Sequence, residues 1–196
     1  MSMNPYKLIL ASTSPYRRDL LERLKIPFEV VAPQVDETPQ VGESPQFLAR
    51  RLAVAKAQAV AHLNPDAFVI GSDQVVNLSG ECLGKPGNHE KAVLQLRRLQ
   101  GREVHFETAV AVVCHANGFL AEDLVSVRVK FRNLEDADIE NYLRAETPYD
   151  CAGSAKSEGL GIALLEMIQS DDPTALIGLP LICTCTLLRQ AGLKLF

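Results

Sequence analysis

Apolar residues in this chain fall into runs whose period changes several times, and each change predicts an element. KLILAS, from Lys7 to Ser12, is a short apolar run closed by small polar residues, which predicts a buried strand. Ser14-Pro15 then precedes YRRDLLERL, and a serine N-cap with proline at the first helical position starts a helix. Phe28 to Ala32 predicts a second strand, and VDETPQVGESPQ a polar, Pro-rich loop. Ser44-Pro45 opens a long helix to about Asn64, with Leu48, Leu52, Ala55, Ala59 and Leu63 at helical spacing. Pro65-Asp66 ends it, and AFVIGSD predicts a buried strand that closes at Asp73. This alternation of strand and helix argues for an α/β sheet with helices packed on its faces.

The second half follows a different rhythm. VVNLSGECLGKP predicts a hairpin turning at Ser79-Gly80, and Asn88 to Leu99 a helix. Glu103 to Cys114 and Phe119 to Arg132 predict two long strands around His115-Ala116-Asn117-Gly118, where Asn-Gly marks a tight turn. Val125, Val127, Val129 and Phe131 alternate with polar residues, as in a strand buried on one face. Helices are predicted from Glu135 to Glu146 and from about Leu181 to Ala191. With no repeat or linker, residues 1–196 are expected to form a single domain of two lobes with a cleft.

Composition narrows the function classes. The chain has 196 residues, enough for a substantial core, and a formal net charge of -4. It lacks the basic field of a general nucleic-acid binder, so an anionic partner must be met locally. MSMNPYKLILASTS has no basic leader before a long apolar segment, and no apolar run approaches the roughly eighteen residues of a membrane helix. A soluble, cytoplasmic protein is expected, without a nucleic-acid or membrane partner. Its 5 cysteines are scattered without a CxxC pair, and its 4 histidines show no HxxxH or HExxH spacing. Free thiols in a reducing compartment, and no zinc site, are the readings.

Asp73 raises the main question, because an ionised carboxylate without a partner is costly beside an apolar run. Ligands of open α/β sheets bind beyond the carboxyl ends of strands, and Ser12 to Arg18, Asp36-Glu37 and Ser72 to Gln74 fall at such ends. A helix N-terminus after Ser12 offers free N–H groups to an anion, and Arg17 and Arg18 add fork-shaped donors. Taken singly, these arginines read as solvated first-turn residues, and their placement after STSP is what makes the anion-binding reading its equal. Asp36, Glu37 and Asp73 suit a magnesium or manganese ion if they gather, and are unrelated loop carboxylates if they do not.

Lys56 lies beside the buried stripe of its helix, where snorkelling to solvent is the ordinary outcome. GECLGKP fails the phosphate-loop pattern, since Pro86 follows Lys85, although Lys85 remains placed to reach a phosphate or simply solvent. GSAKSEGLG, from Gly153 to Gly161, is a small-residue loop bearing Lys156 and Glu158, with a mobile surface connection as its alternative. Together these carboxylates and cations are the parts required for phosphoanhydride cleavage.

LASTSPYRRDLL, VDET, AKAQA, IGSDQVV and GKP, in this order, resemble the Maf (septum-formation) family of nucleotide pyrophosphatases over nearly the whole chain. CAGSAKSEG and the SDQ form of the central motif resemble the subfamily acting on 7-methyl-GTP. The resemblance implies a mixed α/β fold like that of inosine triphosphatase, a strongly curved central sheet flanked by helices, with two lobes around a deep cleft. It implies a protein that is often a homodimer and hydrolyses a nucleoside triphosphate to the monophosphate and pyrophosphate with Mg, Mn or Co.

By motif position, Ser12, Arg17, Lys56 and Lys85 would line the triphosphate, and Glu37 and Asp73 the metal. Asp73 would be the catalytic carboxylate, as proton acceptor or as metal ligand. Tyr16, Gln74 and Glu158 would set specificity, where the subgroup acting on thymidine and uridine triphosphates carries Arg, Thr and Gln. A carboxylate at Glu158 can accept both N1–H and the 2-amino group of guanine. Methylation at N7 makes that base cationic, so stacking on Tyr16 gains a cation-π attraction. The subfamily usually has Trp in place of Tyr16. The alternatives are a pyrophosphatase of broader or pyrimidine preference and a nucleotide-binding regulator of cell division.

Overall fold

A computed structural model describes residues 6–195. In chain order the elements are β1 (Leu8–Ala11), α1 (Pro15–Glu22), β2 (Glu29–Val31), α2 (Pro45–Leu63), β3 (Phe68–Leu78), β4 (Glu81–Leu83), α3 (His89–Leu99), β5 (Glu103–Cys114), β6 (Phe119–Phe131), α4 (Asp136–Glu146), β7 (Leu165–Gln169) and α5 (Leu181–Gln190). The serine starts hold: Ser14 and Ser44 accept the amides of Arg17 and Phe47, each with proline opening the helix. None of the helices described is long and apolar enough to cross a membrane.

The strands form one mixed sheet in the order β2-β1-β3-β5-β6-β7, with β4 hydrogen-bonded to β3. β1 lies parallel to β2 and β3, while the remaining pairs are antiparallel. The expected strand ending at Asp73 is corrected here. β3 continues unbroken through Asp73 to Leu78, because it trades β1, whose last partner on it is Gly71, for β4, while β5 pairs along its other edge from Val69 to Asn77. Pairing with β5 carries the polar residues Ser72, Asp73 and Gln74 through the middle of the strand, while their other edge, between the last β1 partner at Gly71 and the first β4 partner at Val76, has no strand beside it among the described residues. β7 was absent from the sequence reading; it is a five-residue edge strand with a single neighbour, too short for periodicity to reveal it.

Alternate residues of β3 explain the two lobes. Phe68 and Ile70 join a core with Leu20 and Leu21 of α1 and Leu187 and Leu188 of α5. Val76 and Leu78, on the same face, join a second core with α3 and α4. Between them on that face stand Ser72 and Gln74, so the polar interruption in the sequence marks the boundary between two cores. The opposite face, carrying Val69, Gly71, Asp73 and Val75, packs on α2.

Contact with α2 is closest at Gly71. A Cβ there would stand 2.2 Å from the Ala53 carbonyl oxygen and 2.6 Å from the Ala57 amide nitrogen. Glycine facing two alanines lets the helix backbone lie almost directly on the strand. This approach brings Lys56, beside Ala57, against Asp73, two residues beyond Gly71.

Candidate active site

β1 stops at Ala11 while β3 runs on, and a cleft of about 390 Å3 opens where they part company. Ser12, Arg17, Glu37, Lys56, Asp73, Gln74 and Lys85 all line it. A second chamber of about 180 Å3 carries Tyr16, Asp150, Cys151 and Glu158, and Arg17, Gln74 and Lys85 line both. Ser12, Tyr16, Arg17, Glu37, Lys56, Asp73, Gln74, Lys85 and Glu158 therefore border one continuous region, with Lys56 and Asp73 at one end and the aromatic ring and Glu158 at the other.

Local geometry explains the first end. Ser12 Oγ accepts the Ser14 amide at 3.1 Å, folding the loop so that the start of α1 faces the cleft. Arg17 Nε donates to the Gly178 carbonyl at 2.8 Å, fixing one edge of the guanidinium. Burial lowers the Arg17 pKa, and the nearby Asp73 and Glu37 carboxylates oppose that shift. Arg18 does not join it; its guanidinium lies on the surface within 3.6 Å of Asp19 and Glu22.

Lys56 departs from the snorkelling expected of it. Its Nζ lies 2.6 Å from Asp73 Oδ1 and 2.8 Å from Glu37 Oε1, and its side chain is 7% exposed. Glu37 reaches this point from a loop tied to α2, where Arg51 donates to the Thr38 carbonyl at 3.1 Å and to Glu43 at 2.6 Å. Asp36 turns the other way, accepting the Thr38 amide at 2.9 Å, and lines neither chamber. The gathering of three carboxylates does not form.

Lys85 is exposed at the junction of the chambers, and no carboxylate pairs with it among the described residues. Its ammonium is thus available to an anion.

At the other end, Gln74 Nε2 faces Thr108 Oγ1 and the carbonyls of Ala175 and Leu176, each at 3.0 Å. Its NH2 group is committed to these acceptors, leaving Oε1 as the end able to accept from a ligand. The Cys151 thiol donates to Tyr16 Oη at 3.9 Å. Burial, followed by the neighbouring Cys151, raises the Tyr16 pKa, while burial, followed by Asp150, pushes the Cys151 thiol up to about 12. Both groups therefore stay neutral at physiological pH, and the acidic side chains lining this end are Asp150 and Glu158. Lys156 does not line the chamber; its ammonium lies over the Tyr16 ring, 5.7 Å from the centroid.

The loop bearing Glu158 is pinned rather than a free surface connection. Glu146 pairs with Lys156 Nζ at 3.0 Å and accepts the Leu160 amide at 2.6 Å, while Tyr142 Oη accepts the Lys156 amide at 3.0 Å. Gly161 is required by closeness, since a Cβ there would stand 2.5 Å from the Lys156 carbonyl oxygen.

Sequence reasoning overlooked the segment before α5. Asp172 accepts the amides of Ile182 and Cys183 at 2.7 and 3.2 Å, and that of Thr174 at 3.1 Å. So held, the segment offers Gly178 to Arg17 and Ser72, and Ala175 and Leu176 to Gln74. Asp and Thr ahead of an apolar helical run are cap signals that could have flagged it. Asp150 and Cys151 carried no signal beyond adjacency to the GSAKSEG loop.

Among the described residues no group of three or more His, Cys, Asp or Glu side chains forms a ready-made metal site. Glu37 and Asp73 are nonetheless two hard oxygen donors directed at one point, now held by Lys56. They fit a small dication that takes its remaining ligands from phosphate oxygens and water.

Comparison with known proteins places these features in a family. The chain is 67% identical over 189 residues to the 7-methyl-GTP pyrophosphatase of Polaromonas sp. strain JS666, covering 96% of this chain and 86% of that one. The 7-methyl-GTP pyrophosphatase of Albidiferax ferrireducens is 65% identical over 96% of this chain and 94% of its own. That of Burkholderia pseudomallei strain 1710b is 55% identical, over 98% and 91%. The solved structure of the Staphylococcus aureus Ham1 protein is similar at TM-score 0.48 and 16% identity, over 65% of this chain and 72% of that one. The profile of the family described as Maf-like protein matches residues 7–191, and this chain belongs to that family.

Proposed function

We propose that this chain hydrolyses 7-methyl-GTP to 7-methyl-GMP and pyrophosphate with the help of a divalent metal, as a cytoplasmic enzyme and, following the family resemblance, a homodimer. The observation that carries this reading is a cleft with cations around Asp73 at one end and a neutral aromatic ring beside two carboxylates, Asp150 and Glu158, at the other. The first end suits a triphosphate. The second suits a base that is both cationic and a hydrogen-bond donor. The names of the similar proteins from Polaromonas and Albidiferax support the same substrate.

In this reading Arg17, Lys85 and the first turn of α1 hold the phosphates, and Lys56 orients Asp73 through Oδ1, leaving Oδ2 for water. Water attacks the α-phosphorus and the bond from that phosphorus to the bridging oxygen breaks. Pyrophosphate leaves with the electron pair, and the water proton passes to Asp73 or to solvent. When bound, Mg, Mn or Co would neutralise polyphosphate charge, with Glu37 and Asp73 to hold it. Tyr16 stacks on the base, Glu158 accepts its N1–H and 2-amino group, and Gln74 Oε1 accepts from a donor nearby.

A nucleotide panel tests this. Among guanine, 7-methylguanine and pyrimidine triphosphates, assayed for pyrophosphate with and without Mg, Mn or Co, 7-methyl-GTP is expected to give the highest kcat/KM. Chelation of the metal is expected to remove most of the rate, and better turnover of a pyrimidine triphosphate would overturn the assignment.

Tyr16→Trp offers a larger ring and a stronger cation-π partner. It is expected to raise the preference for 7-methyl-GTP over GTP by about threefold. An unchanged ratio would argue against stacking on this ring.

A further inference from the structure

Resting on the triphosphate reading of the cleft, the next question is when a metal can enter. The Lys56 ammonium stands between Glu37 Oε1 and Asp73 Oδ1, at 2.8 and 2.6 Å, and the side chains of Lys56 and Asp73 are 7% and 10% exposed. A dication using the same two carboxylates would meet this ammonium at close range, with little water to screen their repulsion. Arg17 also feels both carboxylates. Two cationic side chains therefore face two anionic ones, and the site of the free protein carries no surplus negative charge to attract a dication.

A triphosphate changes both terms. It brings excess negative charge and further oxygen ligands, and its phosphate oxygens compete with the carboxylates for the Lys56 ammonium. We propose that Lys56 is a tethered cation that keeps the nucleotide-free protein closed to divalent metal, so that metal enters with the triphosphate or after it. Lys56 thus has two successive partners, the carboxylate pair before the substrate arrives and the phosphates afterwards.

The test uses Mn2+ as the probe on the full chain, with bound ion followed by electron paramagnetic resonance and by water proton relaxation. Without nucleotide, wild-type protein is expected to show no saturable uptake in the range where Lys56→Met saturates. Lys56→Met is expected to take one ion about tenfold more tightly or better. Lys56→Met/Asp73→Asn is expected to lose that gain.

Adding the α,β-methylene analogue of 7-methyl-GTP to wild-type protein is expected to give a relaxation enhancement absent from Mn2+ and nucleotide alone. Tight uptake by nucleotide-free wild type would overturn the proposal, as would unchanged affinity in a folded Lys56→Met. The wild-type comparison stands if that variant fails to fold. The nucleotide-free arm contains no base, so its outcome is independent of substrate preference. Enhancement with a methylene pyrimidine analogue but not the 7-methylguanine one would sink the 7-methyl-GTP reading and leave the order of entry intact.

Discussion

Replacing Asp73 with Asn is expected to lower kcat/KM for 7-methyl-GTP by about a thousandfold, in the range typical of a positioned carboxylate that handles a proton. That loss corresponds to about 4 kcal/mol of transition-state stabilisation. Asparagine has nearly the same shape, and its carbonyl oxygen can still accept from Lys56, which lies 2.6 Å from Asp73 Oδ1. The fold and nucleotide binding are therefore expected to survive, which separates this change from general damage. Pyrophosphate release at the parent rate by a folded, nucleotide-binding variant would remove Asp73 from the chemistry. Raising the Mn2+ concentration then distinguishes the two roles, since recovery of rate indicates metal holding and its absence indicates proton transfer.

Gly71→Ala is expected to be the most damaging single methyl group in the structure. The added carbon would lie 2.2 Å from the Ala53 carbonyl oxygen and 2.6 Å from the Ala57 amide nitrogen, and both are backbone atoms of α2 that no rotamer can move aside. The helix must shift or the strand must bend, at a cost of about 3 kcal/mol, the upper end of ordinary overpacking. For a chain of this size that corresponds to a fall in Tm of roughly 6–12 °C, measurable by thermal unfolding. Because α2 carries Lys56 and β3 carries Asp73, the same shift is expected to part this pair, so residual activity should fall below what the lost stability explains. An unchanged Tm would mean that this approach is not the contact that sets α2 on the sheet.

Much of the architecture was legible because its signals are local. Ser14-Pro15 and Ser44-Pro45 start helices wherever they sit, since the cap hydroxyl and the proline ring act on the next turn alone. The β5–β6 hairpin followed from Asn117-Gly118 and the alternation of Val125 to Phe131, and the two strands pair from Glu103 with Lys130 to Cys114 with Phe119. The chain order of the motifs also led to the family, and its profile spans residues 7–191.

The less legible parts depend on partners distant in sequence. β3 runs through Asp73 because β5 and β4 are there to pair with it, and FVIGSDQVV alone does not specify either neighbour. The 170–180 segment acts through backbone carbonyls, whose direction no side-chain pattern encodes. Asp36 and Glu37 look equivalent in VDET, yet Asp36 closes its own turn and Glu37 reaches Lys56.

Asp73 and Lys56 show most clearly where the division falls. Residue type and local periodicity were sufficient to mark a charge in an apolar strand and a lysine beside an apolar helical stripe. Only the packed structure pairs them, because Gly71 lets α2 settle onto β3 and exclude the water that an isolated lysine would otherwise seek. Helix starts, turns and alternation arise between residues a few positions apart, so the chain itself carries them. A buried ion pair between residues 17 positions apart arises only when two faces meet.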